Sequence, residues 1–263
     1  MIRFSNGRFQ FWEDILLDSI ERFASSSISE IIIVYTSEPQ PRPRTHVGHI
    51  PIHRVVAKPP LGATGHANGL HAAIEKSTSE YIMFCDPDAF FFSDVPKFFV
   101  EALNKLDLFI VGINHHMPLH QAYEEFPCVI NMLMRRDKLP PKGWLSNSIF
   151  WRYPGLLVDD LSQPSVPMPD LWLMFGPPVN RWQEFPKTNG LYDVGCNLWL
   201  WNKENNGRWL SFGASVINNH ARLYVANNYH TNFSFTSPWS QRLLYHKTAN
   251  GEDNDFIEEY LRL

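Results

Sequence analysis

Apolar positions in the first 113 residues switch between two spacings, and the switches mark alternating helices and strands. From Trp12 to Phe23, residues Ile15, Leu16, Ser19, Ile20 and Phe23 recur at helical intervals, which gives that segment one apolar face. Glu30 to Tyr35 contains an unbroken run of β-branched residues, the mark of a strand buried on both faces. The following Thr36–Arg44 carries Pro39, Pro41 and Pro43 and reads as a loop. Ile50–Ala57 predicts a strand, and Ala63–Lys76 a helix of small and apolar residues. Glu80–Cys85 and Leu106–Ile113 predict two further strands. Strands and helices alternating at these lengths predict an α/β fold with a mainly parallel sheet and covering helices.

Beyond Asn114 the periodicity fades. Eight of the nine tryptophans follow that position, among many prolines and asparagines. This pattern predicts an irregular, aromatic-rich region over 114–263, joined to the regular half 1–113 in one compact domain. Aromatic faces suit the C–H faces of sugar rings, and they equally build a second core; composition leaves both open.

Bulk composition narrows the class. Hydrophobic residues make up 44% and charged residues 19%, the balance of a folded globular chain. Lys and Arg number 23 against 27 Asp and Glu, so the net charge of -4 argues against a nucleic-acid partner held through its phosphates. The short cluster Arg135-Arg136 with Lys138 does not alter that. Cys85, Cys128 and Cys196 are scattered without metal-ligand spacing and read as reduced thiols. The first residues lack the apolar stretch of a signal peptide, and no run approaches the ~18 apolar residues of a membrane span. The expectation is a cytoplasmic protein with no transmembrane segment.

The sharpest chemical feature is Asp86-Pro87-Asp88, which follows the apolar strand Tyr81–Cys85 directly. Ligands of open α/β sheets sit beyond the carboxyl ends of strands, so this is where a site belongs. Pro87 fixes its own backbone torsion and keeps Asp86 extended. Two carboxylates held close repel unless a positive group lies between them, and a hard divalent cation with oxygen ligands answers that need. The alternative is a simple turn in which the aspartates cap backbone amides.

The run Leu61-Gly62-Ala63-Thr64-Gly65-His66-Ala67-Asn68-Gly69-Leu70-His71, followed by Glu80 to Asp88, resembles the family 2-type glycosyltransferases of the GT-A fold, in which a small-residue helix start precedes a strand ending in an Asp-X-Asp motif. The likeness covers about residues 1–113. It implies a Rossmann-like, mainly parallel sheet. It also implies a metal-dependent hexosyl transfer from a nucleotide-sugar, a UDP- or GDP-sugar, to a hydroxyl of a glycan acceptor. Residues 1–113 would bind the donor, and 114–263 would bind the acceptor and complete the metal site. Mn2+ or Mg2+ would bridge the diphosphate, held by Asp86 and Asp88, with Asp86 also contacting the donor. Glu38 stands near the place of the family's acidic nucleoside contact, and His66 and Asn68 near that of its Arg-Asn pair; each departs from the family pattern.

Transfer with inversion needs a carboxylate to take the acceptor's proton. Asp193, in Tyr192-Asp193-Val194-Gly195, is the first candidate, with Asp170 and Glu184 behind it; a turn aspartate is the plainer alternative. His230 stands where related enzymes place a C-terminal metal histidine, with His220 as competitor. Two other classes remain: a non-catalytic carbohydrate-binding protein of the same fold, and a nucleotidyltransferase. The latter lacks a glycine-rich phosphate loop, Asn6-Gly7-Arg8 being the one faint trace.

Overall fold

A computed structural model describes residues 2–3, 8–35, 44–56, 63–114, 126–127, 131–139, 196–218, 221–235 and 240–247. The first helix, α1 (Arg8–Phe23), buries Trp12, Ile15, Leu16 and Ile20, the stripe its spacing predicts. Ser19 lies on the same buried face. Its hydroxyl donates to the Leu16 carbonyl at 2.7 Å and accepts from the Phe91 amide at 3.1 Å, so the one polar residue of the stripe becomes a tie to a strand.

Two sheets follow. The smaller has the order β1-β2-β4-β3, formed by β1 (Ile2–Arg3), β2 (Ile31–Tyr35), β3 (His46–Val47) and β4 (Ile50–Val56). Strands β1, β2 and β4 run parallel, with Ile2 level with Val34 and Ile31 level with Ile52. Strand β3 folds back on β4 through a turn at Gly48, whose φ of 54° suits a residue without a Cβ. Helix α2 (Ala63–Lys76) packs on this sheet and leads to β5 (Tyr81–Cys85).

The larger sheet has seven strands in the order β5-β8-β7-β9-β10-β11-β6. Its members are β5, β6 (Ala89–Phe91), β7 (Ile110–Ile113), β8 (Asn131–Arg135), β9 (Trp209–Asn218), β10 (Ala221–Thr231) and β11 (Arg242–Lys247). Only β7 and β9 are parallel in it. The fold is therefore mixed α/β, and the expectation of a mainly parallel sheet is corrected. Strand β8 runs back between β5 and β7, antiparallel to both, and β9, β10, β11 and β6 pair antiparallel in turn.

The same strands correct the expectation that the second half is irregular, for β9 and β10 are 10 and 11 residues long. Their alternation is hidden because the β9–β10 register slips after Ala221 and again between Tyr224 and Tyr229, and an extra residue inverts which face each side chain takes. Helices α3 (Val95–Leu106) and α4 (Cys196–Glu204) complete the described elements, beside a 3-10 turn at Arg136–Lys138. Phe99 of α3 stacks on Phe212 of β9 at 5.9 Å between ring centroids, joining the first half to the second within one core.

The connectivity forces a strong curl. Strands β5 and β6 are the two outer strands of a seven-stranded sheet, yet only Asp86–Asp88 separate them in sequence. Four residue steps reach about 14 Å at most, whereas seven strands laid flat span about 29 Å. The sheet must bend round until its edges meet, and the Asp86-Pro87-Asp88 turn bridges them. Among the described residues, no helix is long and apolar enough to cross a membrane.

Candidate functional site

Strand β5 alternates: Ile82 and Phe84 are buried on one face, while Tyr81, Met83 and Cys85 are half-buried on the other. Beyond Cys85 the chain turns, and the Ala89 amide donates to the Asp86 carbonyl at 3.3 Å. Pro87 is buried and anchors the turn, while Asp86 and Asp88 on either side are half-buried. The pair therefore stands at the carboxyl end of a core strand, on the link that closes the curled sheet.

The amino end of β5 is fixed to the parallel sheet. One carboxylate oxygen of Glu30, just before β2, accepts from the Ser79 hydroxyl at 2.8 Å, the Thr78 amide at 3.0 Å and the Ser77 hydroxyl at 3.2 Å. Burial alone would raise the Glu30 pKa; these donors outweigh it and hold the carboxyl below its ordinary 4.5. Between the two sheets lies a cavity of about 320 Å³, walled by Ile31 of β2, Met83 and Cys85 of β5, Leu16 of α1 and Val100 of α3. The Cys85 thiol is pushed up by its burial, and further by the charges of Asp86 and Asp88, so it is a neutral packing group.

Sequence reasoning passed over Asn131. It is the first residue of β8 and stands directly across from Cys85 on the last rung of the β5–β8 ladder. Its side chain is fully buried, and neither Oδ1 nor Nδ2 has a hydrogen-bond partner. Each such orphan costs about 1–3 kcal/mol, so a folded protein that keeps two of them in one side chain calls for a bound water, ion or ligand group. On its other flank, β7 approaches closely. A Cβ on Gly112 would lie 2.7 Å from the Asn131 carbonyl oxygen, so only glycine lets the strands meet there. The signal was present in the sequence: Asn131 is the single polar residue in the apolar run Val129–Met134.

His230 lies elsewhere. It sits on β10, four strands from β5 in the sheet order, and pairs with Ser211 of β9. From the β6 side, Phe91 aligns through Leu244 with Tyr224, which precedes His230 by six residues on β10. Among the described residues, no three or more His, Cys, Asp or Glu side chains gather closely enough to hold a metal ion, so the structure does not bring His230 to Asp86 and Asp88. His66 and Asn68 fall within α2, and their side chains lie outside the described residues, as do Glu38, Asp193, Asp170, Glu184 and His220 entirely.

The open question of the tryptophans resolves for three of them. Trp199 and Trp209 are buried, and Trp201 donates from its indole nitrogen to the Lys138 carbonyl at 3.1 Å. Trp199 and Trp209 thus belong to the core, and the half-buried Trp201 is tied by its hydrogen bond to the turn after β8.

For a divalent cation, the turn offers two carboxylates, those of Asp86 and Asp88, which are hard oxygen donors. That donor set fits Mg2+ or Mn2+. Comparison with family models, with curated proteins and with solved structures finds no match.

Proposed function

We propose that the chain is a metal-dependent glycosyltransferase of GT-A type, moving a hexose from a UDP- or GDP-sugar to a glycan hydroxyl. One observation carries the reading: Asp86-Pro87-Asp88 stands at the carboxyl end of a core strand, where the parallel half of the fold adjoins the larger sheet. Strands β1, β2 and β4 run parallel, and β5 follows β4 through α2 as an outer strand of the larger sheet. Ligands of open α/β sheets bind beyond the carboxyl ends of strands, and Asp86 and Asp88 follow the carboxyl end of β5.

The roles follow from charge. Asp86 and Asp88 bind the cation and through it orient the donor diphosphate. The cation, when bound, supplies Lewis-acid stabilisation of the departing diphosphate. The acceptor hydroxyl oxygen forms the new bond to the sugar's anomeric carbon as the bond from that carbon to the phosphate oxygen breaks. Its proton passes to a carboxylate, for which Asp193 is the candidate. His66 and Asn68, in the first turns of α2, are placed in sequence to meet the donor, and Glu38 to meet its nucleoside. The scattered cysteines, with Cys85 a free thiol, favour a reducing compartment such as the cytoplasm.

The test is calorimetric titration of the intact chain with Mn2+, with UDP and GDP, and with both together. Nucleoside diphosphate is expected to bind only with Mn2+, and Asp88→Ala to abolish binding and nucleotide-sugar turnover while the circular-dichroism spectrum stays unchanged. Unaltered affinity in Asp88→Ala sinks the reading. Binding of oligosaccharide without any nucleotide or metal response identifies a carbohydrate-binding protein instead.

A further inference from the structure

We propose that the cavity between the two sheets binds an amphiphile with an ammonium head and a straight apolar tail, its head at the amino ends of β2 and β5. The cavity, about 320 Å³ in volume, reaches the ~300 Å³ at which ligand pockets begin. Its serine and glutamate walls come from two turns: Ser27, Ser29 and Glu30 lead into β2, and Ser79 and Glu80 lead into β5. Ser27, Ser29 and Glu80 are exposed, so this end opens to solvent. Along β5 the wall is Tyr81, Met83 and Cys85, which share one face of the strand and stay half-buried, while Ile82 and Phe84 on the other face are buried. Leu16, Phe91, Val100 and Leu133 close the cavity with apolar surface. From Tyr81 to Cys85 the strand rises about 13 Å, so the space is elongated, polar at its mouth and apolar along its length.

Charge selects the head. Two carboxylates, those of Glu30 and Glu80, stand at the open end, and no Lys, Arg or His lies among the described residues of the walls. Burial pushes the Glu30 carboxyl up, but the donors of Ser77, Thr78 and Ser79 prevail and keep it ionised at neutral pH. The guanidinium groups at the end of β8 are engaged: Arg135 chelates Asp137 at 3.0 and 2.8 Å, and Arg136 donates to the carbonyls of Ser77 and Ser79 at 2.7 and 2.8 Å. A carboxylate head would stand against like charges, whereas an ammonium head answers them. The Tyr81 ring at the same end adds an aromatic surface that favours a cation. The apolar wall selects the tail, since each methylene buried along it tightens binding about four-fold. Neither Asp86 nor Asp88 is among the walls, so occupancy requires neither metal nor nucleotide.

The experiment is calorimetric titration of the intact chain with butylamine, hexylamine, octylamine and decylamine, each below its micellar concentration, and with octanoate. The amines are expected to bind one per chain, about four-fold tighter per methylene until the tail outgrows the cavity. Octanoate is expected to bind about ten-fold more weakly than octylamine. Val100→Trp sets an indole into the cavity from α3 and is expected to abolish octylamine binding, with an unliganded melting temperature at or above that of wild type. Asp88→Ala is expected to bind octylamine as wild type does. Where the tryptophan variant does not fold, Glu80→Lys decides: at its exposed position it is expected to weaken octylamine and strengthen octanoate, each about 2–5-fold. Equal affinities for octylamine and octanoate in wild type overturn the proposal, as does octylamine binding that Val100→Trp and Glu80→Lys leave unchanged, which places it on the general surface. A wild-type chain that binds none of the amines overturns it too and leaves the cavity a packing void.

Discussion

At the scale of single residues, the acids divide between structure and chemistry according to what surrounds them. Glu30 is structural: one of its oxygens gathers the donors of Ser77, Thr78 and Ser79 and so ties the entry of β2 to the entry of β5. Its pKa is held below 4.5, so its ionised form is favoured in the folded chain. The contribution is therefore fully present above pH 4.5 and is lost as pH falls through the lower folded value. Glu30→Gln is expected to lower stability by about 1.5–3 kcal/mol at neutral pH, the range for hydrogen bonds to a charged group. Denaturant melts at a series of pH values check it: the gap between wild type and variant should close below pH 4.5, and a gap that stays constant there would assign the loss to packing. Residue type and position made Asp86-Pro87-Asp88 legible in the sequence, because a strand, a proline and two carboxylates in succession constrain one another. Asn131 was written just as plainly, as one polar residue among Val129, Ile130, Met132, Leu133 and Met134, but its meaning needs the knowledge that nothing in the core answers it.

At the scale of elements, legibility followed periodicity. Helices α1 and α2 and strands β2, β4, β5 and β7 lie where the spacing of apolar residues puts them. Strand β6 and helix α3 were missed, because Ala89–Leu103 is mostly apolar and such a run does not distinguish three strand residues from the start of a helix. What separates them is Asp94. Its carboxylate caps α3 by accepting from the Lys97 amide at 3.2 Å and also accepts from the Ser27 hydroxyl at 2.5 Å, in the turn after α1. Pro96 follows in the first turn, where a missing amide hydrogen costs nothing. Asp94→Ala is expected to destabilise the chain by about 1 kcal/mol as a lost cap. Asp94→Asn retains an acceptor for Lys97 and recovers part of that. Urea midpoints of the two variants measure the difference, and equal losses would place the effect in the Ser27 contact instead. Strands β9 to β11 were the hardest to foresee, since the register slips around Tyr224 break the alternation that would have announced them.

At the scale of the whole molecule, the question is what makes two sheets into one body. No strand pairing joins them among the described residues; they meet through Glu30 and its serines, through α1, which packs on β6, and across the cavity of about 320 Å³ between β2 and β5. The cavity walls come from both sheets and both flanking helices, so its packing energy belongs to the junction and not to either sheet alone. Val100 of α3 is half-buried on that wall. Val100→Leu extends one methylene into the space, and burying that group is worth about 0.8 kcal/mol where the room already exists. The expected outcome is a higher urea midpoint with unchanged slope, reported alike by circular dichroism and tryptophan fluorescence in one transition. Two separated transitions, with only one of them moved, would mean that the sheets unfold independently. In that case the Asp86–Asp88 turn would be positioned by the larger sheet alone, and a donor crevice shared with the parallel half would lose its physical basis.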